Sequence, residues 1–162
     1  MKLIIGIGNP GEKYQNSRHN VGHLFATYLQ DKKTNVSDDL VAKKSDVFMN
    51  DSGHFVKKLV DQYGINTPEL WVIHDDLDIP LGSYKIQFGR GPKAHNGILS
   101  IESELGEDDF WRVRIGVDNR SPESRESGEE YVLKDFTHDE LLTLQNTFPK
   151  ILKELLTKLE NE

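Results

Sequence analysis

Lys2-Leu3-Ile4-Ile5-Gly6-Ile7-Gly8-Asn9-Pro10-Gly11, at the amino end of the 162-residue chain, reads as a buried strand that stops at a turn. A Leu/Ile run of this length suits a strand covered on both faces, and Gly-Asn-Pro-Gly is turn chemistry. Working outward, Val21, Leu24, Phe25, Tyr28 and Leu29 recur at helical spacing, with Ser17 as the candidate amino cap. A second helix runs from about Ser52 with Phe55, Val56, Leu59, Val60 and Tyr63 on one face, closed by Gly64. Leu70 to Ile73 forms a second buried strand that leads into His74-Asp75-Asp76-Leu77-Asp78 and then a turn at Ile79 to Gly82. Ser83 to Phe88 and Trp111 to Val117 alternate like strands, and Ile98, Ile101 and Leu105 mark a third helix stopped by Gly106. A capping box, Thr137 to Glu140, opens a long amphipathic last helix. The weaker segments are Leu40-Val41-Ala42 as a short strand, Val47-Phe48-Met49 as a strand end, Tyr131-Val132-Leu133 as another short strand, and a charged, mobile loop over 118–130.

Strands alternating with helices predict an α/β fold: one domain over residues 1–162, three layers α/β/α, with a twisted mixed sheet flanked by helices. Sites in such folds lie beyond the carboxyl ends of the strands, and here those ends carry Asn9, Asn50 and Asp75. The chain has no cysteine, which excludes a disulfide scaffold, thiolate metal sites and a cysteine nucleophile and suits a cytoplasmic setting. No apolar run approaches the ~20 residues that span a bilayer, and the amino end is too short for a secretory leader. A net charge of −7 disfavours broad nucleic-acid binding, so any such contact needs a local basic patch.

Gly6-Ile7-Gly8-Asn9-Pro10-Gly11 fits the dinucleotide pattern, but the helix does not follow it directly and no acidic residue ends a second strand, so a tight turn is the better reading. His19 stands in the first helical turn, where the dipole favours a neutral base, and Asp75 is the carboxylate best placed to orient it. Such a pair can take a proton from water, yet a surface histidine at a helix start fits the spacing equally well. Asn9, Asn50 and Asn96 each sit where a strand or loop meets a helix; they suit binding an ester carbonyl or a water, or capping and turn formation. The 74–78 cluster could hold a divalent ion, but no second carboxylate cluster completes a shell. Neither G-x-S-x-G nor S-x-x-K is present, leaving a covalent serine route without support. Lys85, Arg90, Lys93, Arg112 and Arg114 are the one local basic concentration, open to phosphates or simply solvated.

Together these segments resemble the bacterial peptidyl-tRNA hydrolase family. The resemblance rests on Gly8-Asn9-Pro10-Gly11, Tyr14, Arg18-His19-Asn20-Val21-Gly22, Phe48-Met49-Asn50 with Ser52-Gly53, His74-Asp75-Asp76-Leu77-Asp78, His95-Asn96-Gly97 and Arg112-Val113-Arg114-Ile115-Gly116, in the family's order over about residues 2–136. It implies hydrolysis of the ester between a peptide and the 3′-terminal ribose of tRNA, without metal or cofactor, by a monomer. It further implies His19 as catalytic base, Asp75 as its partner, Asn9 and Asn50 placing substrate and water beside Phe48, and Asn96 holding the water or the acceptor end. Tyr14 would pack on the terminal nucleoside, and Lys85, Arg114 and Arg90 would meet phosphates. Departures are a shortened stretch before Phe48, Ser45 for the usual proline, Asp51 for leucine, Gln87 at a position often basic, and Pro92-Lys93-Ala94 where paired glycines are usual. The rival of another class is a catalytically idle RNA-binding relative, against which the retention of His19, Asp75, Asn9 and Asn50 argues; a nucleotide-binding enzyme is the third reading.

Overall fold

The computed structural model describes residues 1–32, 38–92 and 94–162. Five strands form one mixed sheet in the order β2-β1-β3-β5-β4. β1 (Lys2–Gly6), β2 (Leu40–Lys44), β3 (Leu70–Pro80) and β5 (Trp111–Asp118) are parallel neighbours, and β4 (Tyr84–Phe88) pairs antiparallel to β5 at one edge. On one face α2 (Ser52–Tyr63) and α3 (Asn96–Leu105) bury Val56, Val60, Ile98 and Ile101 against Leu3, Ile5, Leu70 and Val72. On the other, α1 (Val21–Asp31) and α5 (His138–Asn161) bury Phe25, Leu29, Phe148 and Ile151 against Ile4, Trp71, Ile73 and Val113. The period-2 alternation of the strands thus feeds two cores, giving the three layers expected.

Several boundaries differ from the sequence reading. Val47-Phe48-Met49 is not a strand end: Phe48 is extended (φ −66, ψ 155), but the Met49 N–H that would continue a ladder donates to the Asn9 side chain, and a 3-10 turn follows. β3 does not stop at Ile73 but runs on through Asp75 to Pro80, so the turn shrinks to Leu81-Gly82. Tyr131-Val132-Leu133 is helical, the end of α4 (Gly128–Leu133), because Ser127 accepts from the Glu130 N–H and Glu129 and Glu130 suit the first turn. The first helix begins at Val21 after a 3-10 turn at Arg18–Asn20; Ser17 precedes that turn without a capping bond from its side chain. The capping box at Thr137 and Glu140 and the Gly64 and Gly106 helix ends are found as read.

One close approach brings the future site together. Gly22 lets α1 touch the sheet: a Cβ there would come within 2.4 Å of the Ile73 carbonyl oxygen and 2.6 Å of that of Ile7. The 3-10 turn ahead of α1 is thereby pressed onto the carboxyl ends of β1 and β3, and His19 with it.

Candidate active site

Asp75 stands in the extension of β3, 2 % exposed, with each carboxylate oxygen given to an imidazole. His19 Nδ1 lies 2.8 Å from Oδ2 and His95 Nε2 2.8 Å from Oδ1. The His95 tautomer is settled by its other nitrogen: Nδ1 accepts the Ile98 N–H at 3.2 Å, capping α3, so Nε2 carries the proton and donates to Asp75. His19 donates from Nδ1, and among the described residues Nε2 has no hydrogen-bond partner. Burial alone would lower the His19 pKa; the charge of Asp75 and its hydrogen bond more than offset this and hold it above the ordinary histidine value. Burial likewise opposes the Asp75 charge, but His19 and His95 keep its carboxyl well below the usual range. His74 is wholly buried beneath, its Nδ1 donating to the Asp75 carbonyl at 2.7 Å, and desolvation pushes its pKa down to about 3, so it stays neutral.

Asn9 is fixed on three sides. Its backbone N–H and carbonyl bond the Asn20 side chain, both at 2.8 Å, and its Oδ1 accepts the Met49 N–H at 2.8 Å. With the oxygen occupied, the amide Nδ2 is the end that can donate to a ligand. Asn50 and Asn96, which follow the buried Met49 and His95, are exposed; so is Phe48, at 57 %. Tyr14 is half-buried in a 3-10 turn. A cavity of about 520 Å³ opens between His19, Asp75, His95 and Asn96 on one side and Leu77, Arg120, Glu129 and Val132 on the other. A larger hollow, about 650 Å³, lies among Met1, Pro68, Phe88 and Trp111 at the amino ends of the parallel strands and contains no histidine.

The basic residues divide. Arg114, expected at a phosphate, is turned inward: it is 9 % exposed, with Nε on Asp76 Oδ2 at 2.7 Å and Nη1 on Gln87 Oε1 at 2.7 Å. Gly91 packs on this guanidinium so closely that a Cβ would meet Cζ at 2.6 Å, so Arg114 braces the loop that carries Arg90. Arg112 is also inside, paired with Glu102 at 2.6 Å. Lys85, directly across the strand pair from Arg114, and Arg90 remain exposed; the expectation for Lys93 lies outside the described residues.

Sequence reasoning missed the parts played by His95, Asn20 and His74. The signal for His95 was its position three residues before Ile98, where a helix takes its cap. The carboxylates do not form the ion site considered for 74–78, since Asp76 is taken by Arg114 and by the Asp78 N–H. Among the described residues the group that could hold a metal ion is His19, Asp75 and His95, with ligand atoms within 4.8 Å of one another. Binding through His95 Nε2 would force the proton onto Nδ1 and break the α3 cap, so this trio suits hydrogen bonds better than an ion.

A family model for peptidyl-tRNA hydrolase matches residues 3–162. The chain belongs to the peptidyl-tRNA hydrolase family. Its activity is therefore enzymatic, the hydrolysis of peptidyl-tRNA. Two relatives named peptidyl-tRNA hydrolase, from Lawsonia intracellularis and Aliarcobacter butzleri, are each 38 % identical and each match 99 % of this chain, against 88 % and 91 % of their own lengths. A crystal structure of peptidyl-tRNA hydrolase from Acinetobacter baumannii superposes with a TM-score of 0.84 at 27 % identity, over 99 % of this chain and 89 % of that one.

Proposed function

We propose that this member of the peptidyl-tRNA hydrolase family works through His19 as a general base held by Asp75. Water attacks the ester carbonyl that joins the peptide to the 3′-terminal ribose; its proton passes to His19 Nε2, the carbon–oxygen ester bond breaks, and the ribose oxygen leaves with that proton. Asn9 Nδ2 and Asn50 face the reacting carbonyl, Asn96 holds the water or the acceptor end, and Phe48 and Tyr14 offer surfaces to the ester-bearing end. Lys85 and Arg90 take the tRNA phosphates, with Arg114 bracing the loop rather than touching RNA. A base acting on water needs no metal, and the protein acts as a monomer in the cytoplasm. No helix of the described residues is long and apolar enough to cross a membrane.

The observation that carries this reading is the 2.8 Å contact of His19 with a buried carboxylate at the cavity, with Nε2 unengaged among the described residues. A catalytically idle RNA-binding relative would gain nothing from that arrangement. Release of labelled peptide from peptidyl-tRNA in EDTA tests it, wild type beside His19→Ala. Wild type should turn over undiminished and the variant should lose roughly 10²–10⁴-fold. Equal rates in the two, or arrest by EDTA, would reject the mechanism.

A further inference from the structure

His19 is the only residue of its 3-10 turn with its side chain on the cavity, and among the described residues its one side-chain hydrogen bond is to Asp75. Its placement is set by its neighbours. Asn20 clamps the Asn9 backbone and thus ties the turn to the end of β1. Arg18 turns the other way, into the wall built from α4 and α5, and is 6 % exposed. Its Nη2 lies 2.7 Å from Glu140 Oε1, its Nη1 donates to the Tyr131 carbonyl at 3.1 Å, and its guanidinium rests 3.9 Å over the Tyr131 ring. The backbone follows: Arg18 N–H donates to the Lys134 carbonyl at 3.1 Å and Phe136 N–H to that of Asn16 at 3.0 Å.

Glu140 is fixed in turn. Its Oε1 also accepts the Thr137 N–H at 2.9 Å in the capping box, and its Oε2 lies 3.1 Å from Asn119 Nδ2 and 3.3 Å from the Tyr131 hydroxyl. That hydroxyl sits 3.0 Å from the Val117 carbonyl at the end of β5. Burying an ion pair is costly, and apolar side chains of equal volume would join helix to turn at least as firmly, so stability alone accounts poorly for this network. Fixed direction is what charged, multiply bonded groups supply. In a 3-10 turn successive side chains diverge by roughly 120°, so holding Arg18 in one wall orients His19 toward the cavity.

We infer that Arg18, Glu140 and Tyr131 are positioning residues for the hydrolysis: the buried Arg18–Glu140 pair, stacked on Tyr131, sets the His19 imidazole against Asp75 and joins it to the α4 wall of the cavity. This rests on the reading of His19 as the base. A displacement of about 1 Å at a reacting group can cost about a hundredfold in rate, so a partial loosening should register in kcat.

Glu140→Gln keeps the volume and the capping acceptor while removing the charge; Tyr131→Phe keeps the ring beneath the guanidinium and removes the hydroxyl. Peptide release and an NMR titration of the His19 ring, assigned with His19→Asn, are measured on both. Glu140→Gln should lower kcat about tenfold with KM within about twofold, and should move the His19 midpoint to lower pH as its hold on Asp75 loosens. Tyr131→Phe should do the same more weakly, and it carries the test if Glu140→Gln does not fold. Unchanged kcat and an unchanged His19 titration, even beside a lowered melting temperature, would overturn the inference, as would a raised KM with kcat intact. Full activity in His19→Asn would instead sink the reading of His19 as base, while the ring titration in Glu140→Gln still reports whether the pair positions it.

Discussion

Around Asp75 each carboxylate oxygen meets an imidazole at 2.8 Å, and the Asn9 side-chain oxygen is held by a backbone N–H; the other residues proposed to meet substrate, Phe48, Asn50, Asn96, Lys85 and Arg90, are exposed, and none makes a side-chain hydrogen bond among the described residues. The proposed mechanism gives the two groups different tasks. A base must have its tautomer and direction fixed before substrate arrives, since reorganising them in the transition state would consume the advantage of having them. Groups that meet a charged polymer gain from staying open, with affinity coming from displaced counterions rather than from a prebuilt socket. Substitutions in the inner half should therefore strike kcat, and those in the outer half KM.

The hardest blow to that division is Asp75→Asn. An amide aimed at His19 can donate to Nδ1 and so drive the proton to Nε2, where water must be deprotonated; kcat should fall by roughly 10²–10⁴, as for other bases stripped of an orienting carboxylate. The pH dependence gives an independent sign. In the wild type, activity should rise with pH through a His19 titration that Asp75 holds above the ordinary histidine value. With the carboxylate gone, burial is the cause that remains, and it lowers the pKa, so the residual activity of the variant should rise at a lower pH than in the wild type. A rate profile whose midpoint stays put would show that some other group titrates.

His95 sharpens the comparison because it caps α3 from one nitrogen and meets Asp75 from the other. In His95→Ala both the α3 cap and the bond to Asp75 disappear; removing a cap costs about 1 kcal/mol, or roughly 2–4 °C in melting temperature at this size. His95→Asn restores a good cap but not a donor at the distance of Nε2. We expect melting to recover in the asparagine variant while kcat stays about tenfold low in both. Recovery of both together would mean that His95 matters through α3 alone.

The inner half was also the more legible one, and only in part. The β1 run, the Gly64 stop and the Thr137–Glu140 box could be read because each is a local rule obeyed locally. Val47–Met49 and Tyr131–Leu133 have strand-like composition, but what decides them is not in the triplets: Asn9 takes the Met49 N–H, and Ser127 with two following glutamates starts a helix ahead of Tyr131. The approach of His19 to Asp75 depends on α1 lying against the sheet through Gly22, a contact across strands that spacing alone left balanced against a surface histidine. The pairing of Arg114 was hidden for a related reason. A basic residue on an alternating strand looks available until its partner Asp76 is seen on the adjacent strand.

That partnership supplies the smallest expected effect and the cleanest contrast, since Lys85 and Arg114 face each other across the β4–β5 pair. Replacing the exposed Lys85 and Arg90 by alanine should leave melting within about 0.5 kcal/mol and kcat unchanged. KM should rise severalfold, and the salt dependence of kcat/KM should flatten by about one logarithmic unit of slope for each phosphate left without its cation. Arg114→Gln should behave otherwise: with Asp76 2 % exposed and deprived of its cation, melting falls, and any rise in KM comes through the loosened Gly91 loop with the salt slope retained. If the exposed pair changes neither KM nor its salt dependence while Arg114→Gln flattens the slope, the phosphates lie against the inner arginine and the division between a prebuilt interior and an open rim is drawn in the wrong place.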